Sequence, residues 1–169
     1  VLPAALIFGG NAAGKSNFCR ALGFARQFIL NSNRARAGAA IDTRPFYLDS
    51  EMANKPSKFE IVLSCGDEKV YRYEFALDHR QIYEEKLTRI FSSSEKLVYF
   101  RNGQEYDFKE LEDSQDLLKL IAKTVADNQL FLTVASVQKV ALLYEIYKWF
   151  ESNLVVLGPD SHYLEYSTY

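Results

Sequence analysis

The sequence predicts an α/β chain: strand, glycine-rich loop and helix first, then an antiparallel β-meander, then a helical part. Three observations carry that expectation. An apolar run enters a glycine-rich loop and continues into residues with apolar positions at helical spacing. Between 59 and 108 the hydrophobic period changes to two, and from 109 to 157 it returns to helical. A chain of 169 residues allows one domain, or one with a small appended lobe. Its 48% hydrophobic and 14% aromatic residues suffice for a packed core and exclude a disordered or collagen-like chain.

Charge excludes a second class. Lys and Arg number 20 against 22 Asp and Glu, a net −2, so the chain as a whole is no basic sleeve for nucleic acid. No apolar run approaches the ~20 residues of a membrane span, and no basic-then-apolar leader opens the sequence. The expectation is a cytoplasmic protein without a membrane partner. Cys19 and Cys65 lack CxxC or His-Cys spacing and read as free thiols in preference to a disulfide.

Residues 1–30 are expected to form strand, loop and helix. Val1–Phe8 runs as an apolar strand into Gly9-Gly10-Asn11-Ala12-Ala13-Gly14-Lys15-Ser16. These eight residues fit G-x-x-x-x-G-K-[ST], the Walker A phosphate loop, at every required position. Apolar residues at 18, 21, 22, 25, 28 and 29 then give helical spacing. The chemistry follows from the residue types. Glycines let successive N–H groups turn inward, and the helix N-terminus adds positive partial charge. Lys15 would set its ammonium against the β- and γ-phosphates, and the Ser16 hydroxyl would ligate Mg²⁺. The ligands implied are ATP and Mg²⁺. A chain that opens on an apolar strand without an initiator Met reads as a fragment of a longer protein.

Residues 31–58 hold Arg34, Arg36, Arg44, Gly38, Pro45 and Pro56 with little periodicity, and read as one long loop. Phe59–Leu63 and Tyr71–Leu77 alternate apolar with polar and should pair as a hairpin through 65–68. A strand near Ile82–Phe91 follows, and Asn102-Gly103 between two more strands is a favourable hairpin turn. Ser92-Ser93-Ser94 reads as a turn, and Glu84-Glu85 as an acidic pair on a solvated strand face. Residues 109–157 read as the helical part. Leu130–Val134 is either a short strand or a helix continuation. His79 and His162 stand alone, with no Ser-His-Asp, Cys-His or zinc constellation.

At the loop the residues carry a resemblance. Gly9-Gly10-Asn11-Ala12-Ala13-Gly14-Lys15-Ser16-Asn17 resembles the G-x-N-x-[SA]-G-K-S-N form of ABC-type ATPases of the RecF, SMC and OLD group. Asn54–Ile61, Tyr71–Phe75 and Asp127–Leu132 are similar to prokaryotic "AAA family ATPase / ATP-GTP phosphatase" proteins, many of which sit in defence operons. GTPases are disfavoured independently. Asn54-Lys55-Pro56-Ser57 lacks the Asp that reads guanine, and no D-x-x-G occurs.

The resemblance implies that 1–169 is the N-terminal lobe of an ABC-like ATPase. In such a lobe a late Gln reaches the Mg²⁺ and the attacking water. Gln138 is the candidate, as metal ligand and catalytic residue beside Lys15, and Gln129 the runner-up. A Walker B strand ending in Asp-Glu and a signature segment are both lacking within 1–169. On this reading they lie beyond Tyr169, on a C-terminal lobe of the same protein. The intact ATPase would then dimerise with ATP and drive a nuclease or other effector on DNA or RNA. The alternative is a complete ATP-sensing module that binds without hydrolysing.

Overall fold

The computed structural model describes residues 7–10, 14–43, 55–66, 69–109, 111 and 115–157. Helix α1 spans Lys15–Asn31 and passes into a 3₁₀ turn at Ser32–Arg34. A five-stranded antiparallel sheet follows in simple sequential order: β1 (Ser57–Cys65), β2 (Lys69–Leu77), β3 (Ile82–Ile90), β4 (Glu95–Asn102) and β5 (Glu105–Phe108). Among the described residues three helices follow the sheet, α2 (Gln115–Ala122), α3 (Phe131–Val137) and α4 (Ala141–Ser152). This is the α/β class that the changes of period predict. The expected strand at Val1–Phe8 falls mostly outside the described residues, and Ile7–Gly10 are irregular.

The period of two does its job in the sheet. Leu63, Tyr71, Tyr73, Phe75, Leu87 and Tyr99 turn to the helices and are buried. Glu60, Arg72, Glu74 and Lys86 face the other way, in ion pairs Arg72–Glu60, Arg72–Glu95 and Lys86–Glu74. Rings lock the layers. Phe24 stacks on Phe28 at 5.6 Å and meets Phe59, and Phe28 meets Phe75, which joins α1 to β1 and β2. Phe150 of α4 lies 5.9 Å from Tyr73, and Phe131 of α3 lies 5.1 Å from Tyr99. Each such pair contributes about 1 kcal/mol beyond its buried area.

Five local expectations change. The β4–β5 loop is Gly103-Gln104, not Asn102-Gly103. Asn102 still pairs with Glu105, and Gly103 takes the left-handed φ of 57° that the tight turn needs. Leu130–Val134 is neither strand nor continuation: Leu130 is the extended N-cap of a separate helix. The helical period after 137 is broken at Lys139, whose φ is 55°, so α4 starts only at Ala141. Of residues 31–58, the first part is an ordered turn held from outside, while 44–54 lie outside the described residues.

The fifth correction is the largest. Glu84 is exposed, but Glu85 is fully buried, so the acidic pair is not a solvated face. In register, Glu85 opposes Phe75 on one side and Arg101 on the other, which puts its side chain among the inward residues. Its Oε1 accepts hydrogen bonds from Tyr73 Oη, Tyr99 Oη and Leu132 N, and its Oε2 accepts from Phe131 N at 2.7 Å. Arg101 Nη1 stands 3.5 Å from Oε2 and is equally buried. Burial and the adjacent carboxylate hold the Tyr73 and Tyr99 phenols well above their usual range, so both remain donors. Since Leu130 supplies no side-chain cap, a carboxylate from the sheet satisfies the first amides of α3 instead.

The 126–133 segment then ties α1 down. Arg101 donates to Gln129 O and Ala126 O. Ser32 Oγ accepts from Leu130 N and donates to Thr133 Oγ1, which donates to Ile29 O. Asn128 Nδ2 donates to Arg36 O and Ala39 O, and Gln129 Nε2 to Asn33 O and Ala35 O. Two side-chain amides therefore fix the turn after α1.

Glu85→Ala is expected to cost about 3–5 kcal/mol, because it strands a buried guanidinium and two helix amides. Glu85→Gln, which keeps the acceptor for the tyrosines, should cost distinctly less in the same urea titration; equal losses would refute the capping account. At the β2–β3 turn, burial raises the Asp78 carboxyl, but hydrogen bonds from Arg80 N, Gln81 N and Tyr83 Oη outweigh it and leave the group below its ordinary range. A depressed carboxyl stabilises above its unfolded pKa and loses that contribution as pH falls through the folded one. Asp78→Ala should thus destabilise by about 1 kcal/mol at neutral pH, with the deficit vanishing in acid when melting is followed against pH.

Candidate functional site

The site begins where α1 begins. Gly14 is its N-cap with φ 86° and ψ 0°, a left-handed conformation that disfavours any side chain. Nothing lies within 4 Å of the position a Cβ would take at Gly14 or Gly10, so the backbone is open to close approach. The first helical bond runs from Phe18 N to Gly14 O. The amides of residues 15–17 precede it and have no intrahelical acceptor, and no acidic side chain sits in the first turn. Among the described residues these donors have no partner, and an anion would meet them together with positive partial charge.

Lys15 closes the loop on itself. Its Nζ donates to Gly9 O at 2.5 Å and to Gly10 O at 2.6 Å, bridging the two ends of the motif. The Ser16 hydroxyl is exposed at the helix end, and Asn17 beside it accepts from Arg20 Nη1. Asn11, Ala12 and Ala13 lie outside the described residues. The donor set fits a polyphosphate with a hard cation: unpaired amides and one ammonium for the anion, one hydroxyl for the metal. No group of three or more potential metal ligands occurs among the described residues, so the metal would depend on the phosphates and Ser16.

The two glutamines are placed differently. Gln138 is the exposed C-cap of α3, and no hydrogen bond joins it to the described loop residues. Gln129 is committed elsewhere. Its Nε2 holds the 33–35 carbonyls, and its Oε1 accepts from Ala126 N. Thr133 anchors α3 at Ile29, roughly 20 Å along α1 from Lys15 at 1.5 Å per residue.

Two described cavities lie elsewhere. One of about 350 Å³ sits on the sheet among Glu60, Glu74 and Glu84 with Lys58 and Lys86, away from the glycine-rich loop. Another, also about 350 Å³, lies beside Cys65. Burial first, then Glu145, raises the Cys65 thiol, which leaves it protonated and inert. Both Cys19 and Cys65 are free. No described helix is long and apolar enough to cross a membrane.

Sequence reasoning missed the Glu85–Arg101 pair. The signal was present in the alternation: Glu85 shares parity with Leu87, and Arg101 with Tyr99, both apolar inward positions. Comparison with known proteins gives one result. The family model described as "AAA domain, putative AbiEii toxin, Type IV TA system" matches residues 4–154. No curated protein and no solved structure matches the chain. With most of its length covered, the chain belongs to this AAA family and carries a P-loop ATPase-type domain.

Proposed function

We propose that the chain binds MgATP through residues 9–17 and forms the N-terminal lobe of a longer ABC-like ATPase of the RecF, SMC and OLD group. The observation that carries the reading is the Lys15 ammonium drawn onto the Gly9 and Gly10 carbonyls at the free end of α1. That ammonium and the amides of residues 15–17 would hold the β- and γ-phosphates, with Asn11, Ala12 and Ala13 completing the loop and Asn17 flanking it. Ser16 would ligate Mg²⁺, and Gln138 would approach the metal and water from the turn after α3. Bound Mg²⁺ neutralises developing phosphate charge; the protein's part is to orient the phosphates.

Within 1–169 the division proposed is strand, loop and helix (1–30), connecting loop (31–58), antiparallel subdomain (59–108) and helical part (109–157). The Walker B and signature residues belong to a C-terminal lobe, and the intact protein dimerises across ATP in the cytoplasm, driving a nuclease or nucleic-acid effector in defence. Free Cys19 and Cys65 fit that compartment.

Lys15→Ala should lower MgATP affinity by about a hundredfold in calorimetric titration while the melting temperature stays put, since the lost ammonium–carbonyl contacts are on an open loop. Unchanged affinity would refute the reading. Ser16→Ala should chiefly remove the dependence of binding on Mg²⁺.

The 169 residues alone should release phosphate from ATP no faster than a Lys15→Ala control. Without a metal-binding Asp and a water-activating carboxylate, positioning lacks its chemical partner. Rapid, Lys15-dependent phosphate release would show that the carboxylate lies within this chain.

A further inference from the structure

Between the second half of α1 and the turn that follows it lies a cavity of about 310 Å³. Phe24 and Phe28 line it from the helix, Ala35, Ala40 and Ile41 from the turn, and Asn128 from the 126–129 segment. The two rings stack at 5.6 Å with planes 9° apart, and Phe59 and Phe75 back them from the sheet. The turn is held as firmly. Asn128 Nδ2 donates to Arg36 O and Ala39 O, Gln129 Nε2 to Ala35 O, and Ile41 N to His79 O. An apolar cavity with fixed walls and a few polar atoms is how small-molecule sites are built.

The unspent polar atoms here are nearly all acceptors. Asn31 Nδ2 is used on Gln27 O and Gln27 Oε1, which leaves Asn31 Oδ1 as an acceptor and Gln27 Nε2 as the unspent side-chain donor. The Ser32 hydroxyl is occupied by Leu130 N and Thr133 Oγ1. Asn128 is 1% exposed, and its Oδ1 has no donor. A buried oxygen in that condition favours a ligand that brings an N–H. Asp42 is the one charged residue among the described lining residues, and no described cation pairs with it. Arg36, on the same turn, is exposed and lies outside the lining.

We propose that this cavity binds a small planar cation of the aryl amidine or guanidine class. The ligand's ring lies against Phe24 and Phe28, and its N–H groups donate to the Asp42 carboxylate and Asn128 Oδ1. An anion of the same shape is repelled by Asp42, and an aliphatic ammonium leaves the rings uncovered. The site is separate from the phosphate loop. Residues 24–31 stand roughly 14–24 Å along α1 from Lys15 at 1.5 Å per residue, so the inference does not rest on the MgATP reading.

The probe is benzamidine, titrated into the full chain and followed by the NMR ring resonances of Phe24 and Phe28. Benzoate, its isosteric anion, is titrated in parallel at the same ionic strength. Benzamidine should shift both rings with a Kd of about 1 mM or tighter, while benzoate should not. Asp42→Asn should weaken benzamidine roughly fivefold, and Ala40→Trp should abolish its binding by filling the cavity. Both positions are exposed, so the circular dichroism and melting of the two variants should match the parent. Saturating MgATP and Lys15→Ala should leave the titration unchanged, which keeps this test apart from that of the nucleotide site. Lack of saturation at ten times the expected Kd, equal shifts with benzoate, parental affinity in Asp42→Asn or Ala40→Trp, or displacement by MgATP would each overturn the proposal.

Discussion

A carboxylate buried among aromatic residues is a severe constraint, and at Glu85 the structure has met it with donors on every side. Two phenols, two helix amides and a guanidinium surround one side chain that has no access to water. An ion pair of this kind adds little stability compared with an apolar substitute of the same shape. What it adds is direction. Only one placement of α3 brings Phe131 N and Leu132 N to Glu85 while Arg101 reaches Gln129 O and Ala126 O, so the pair fixes both the angle and the register of the helical part on the sheet.

The polar links between the helical part and α1 follow from that placement. Residues 126–133 leave the Glu85–Arg101 pair and, within a few residues, spend their polar side chains on the end of α1 and the turn after it. Amides that would be exposed in an ordinary loop become struts. Gln129 shows the consequence, since its carboxamide is bound on both sides.

The parts of the fold legible in the sequence were those set by local periodicity. The five strands followed the period of two, and α1 followed its apolar spacing, because one buried face decides each. The P-loop family was legible for a related reason: its glycine, lysine and serine pattern lies within eight contiguous residues, so no distant partner is needed to recognise it. Glu85 was illegible because its partners come from β2, β4 and α3. An adjacent Glu84 made it look like half of a solvated pair, whereas strand alternation sends the two carboxylates to opposite faces. The helix break at 138–140 was hidden for the opposite cause. Apolar spacing runs on through Val137 and Val140, and only the left-handed backbone of Lys139 interrupts it.

These unequal constraints divide α1 along its length. Its C-terminal half is clamped: Arg26 donates to Phe150 O and Glu151 O at the end of α4, Tyr147 Oη to Leu30 O, and Thr133 Oγ1 to Ile29 O. Its first turns are exposed, and past the loop the only described tether is the Lys15 ammonium. A helix held at one end carries its least protected backbone at the other, where opening costs least. An anion arriving at Gly14–Asn17 thus meets the end of α1 whose amides lack an intrahelical acceptor, on a helix whose far end cannot shift without disturbing α3, α4 and the turn after α1. The same arrangement that leaves the first turn of α1 least protected makes the sheet, through Glu85, the fixed body against which a bound phosphate would act.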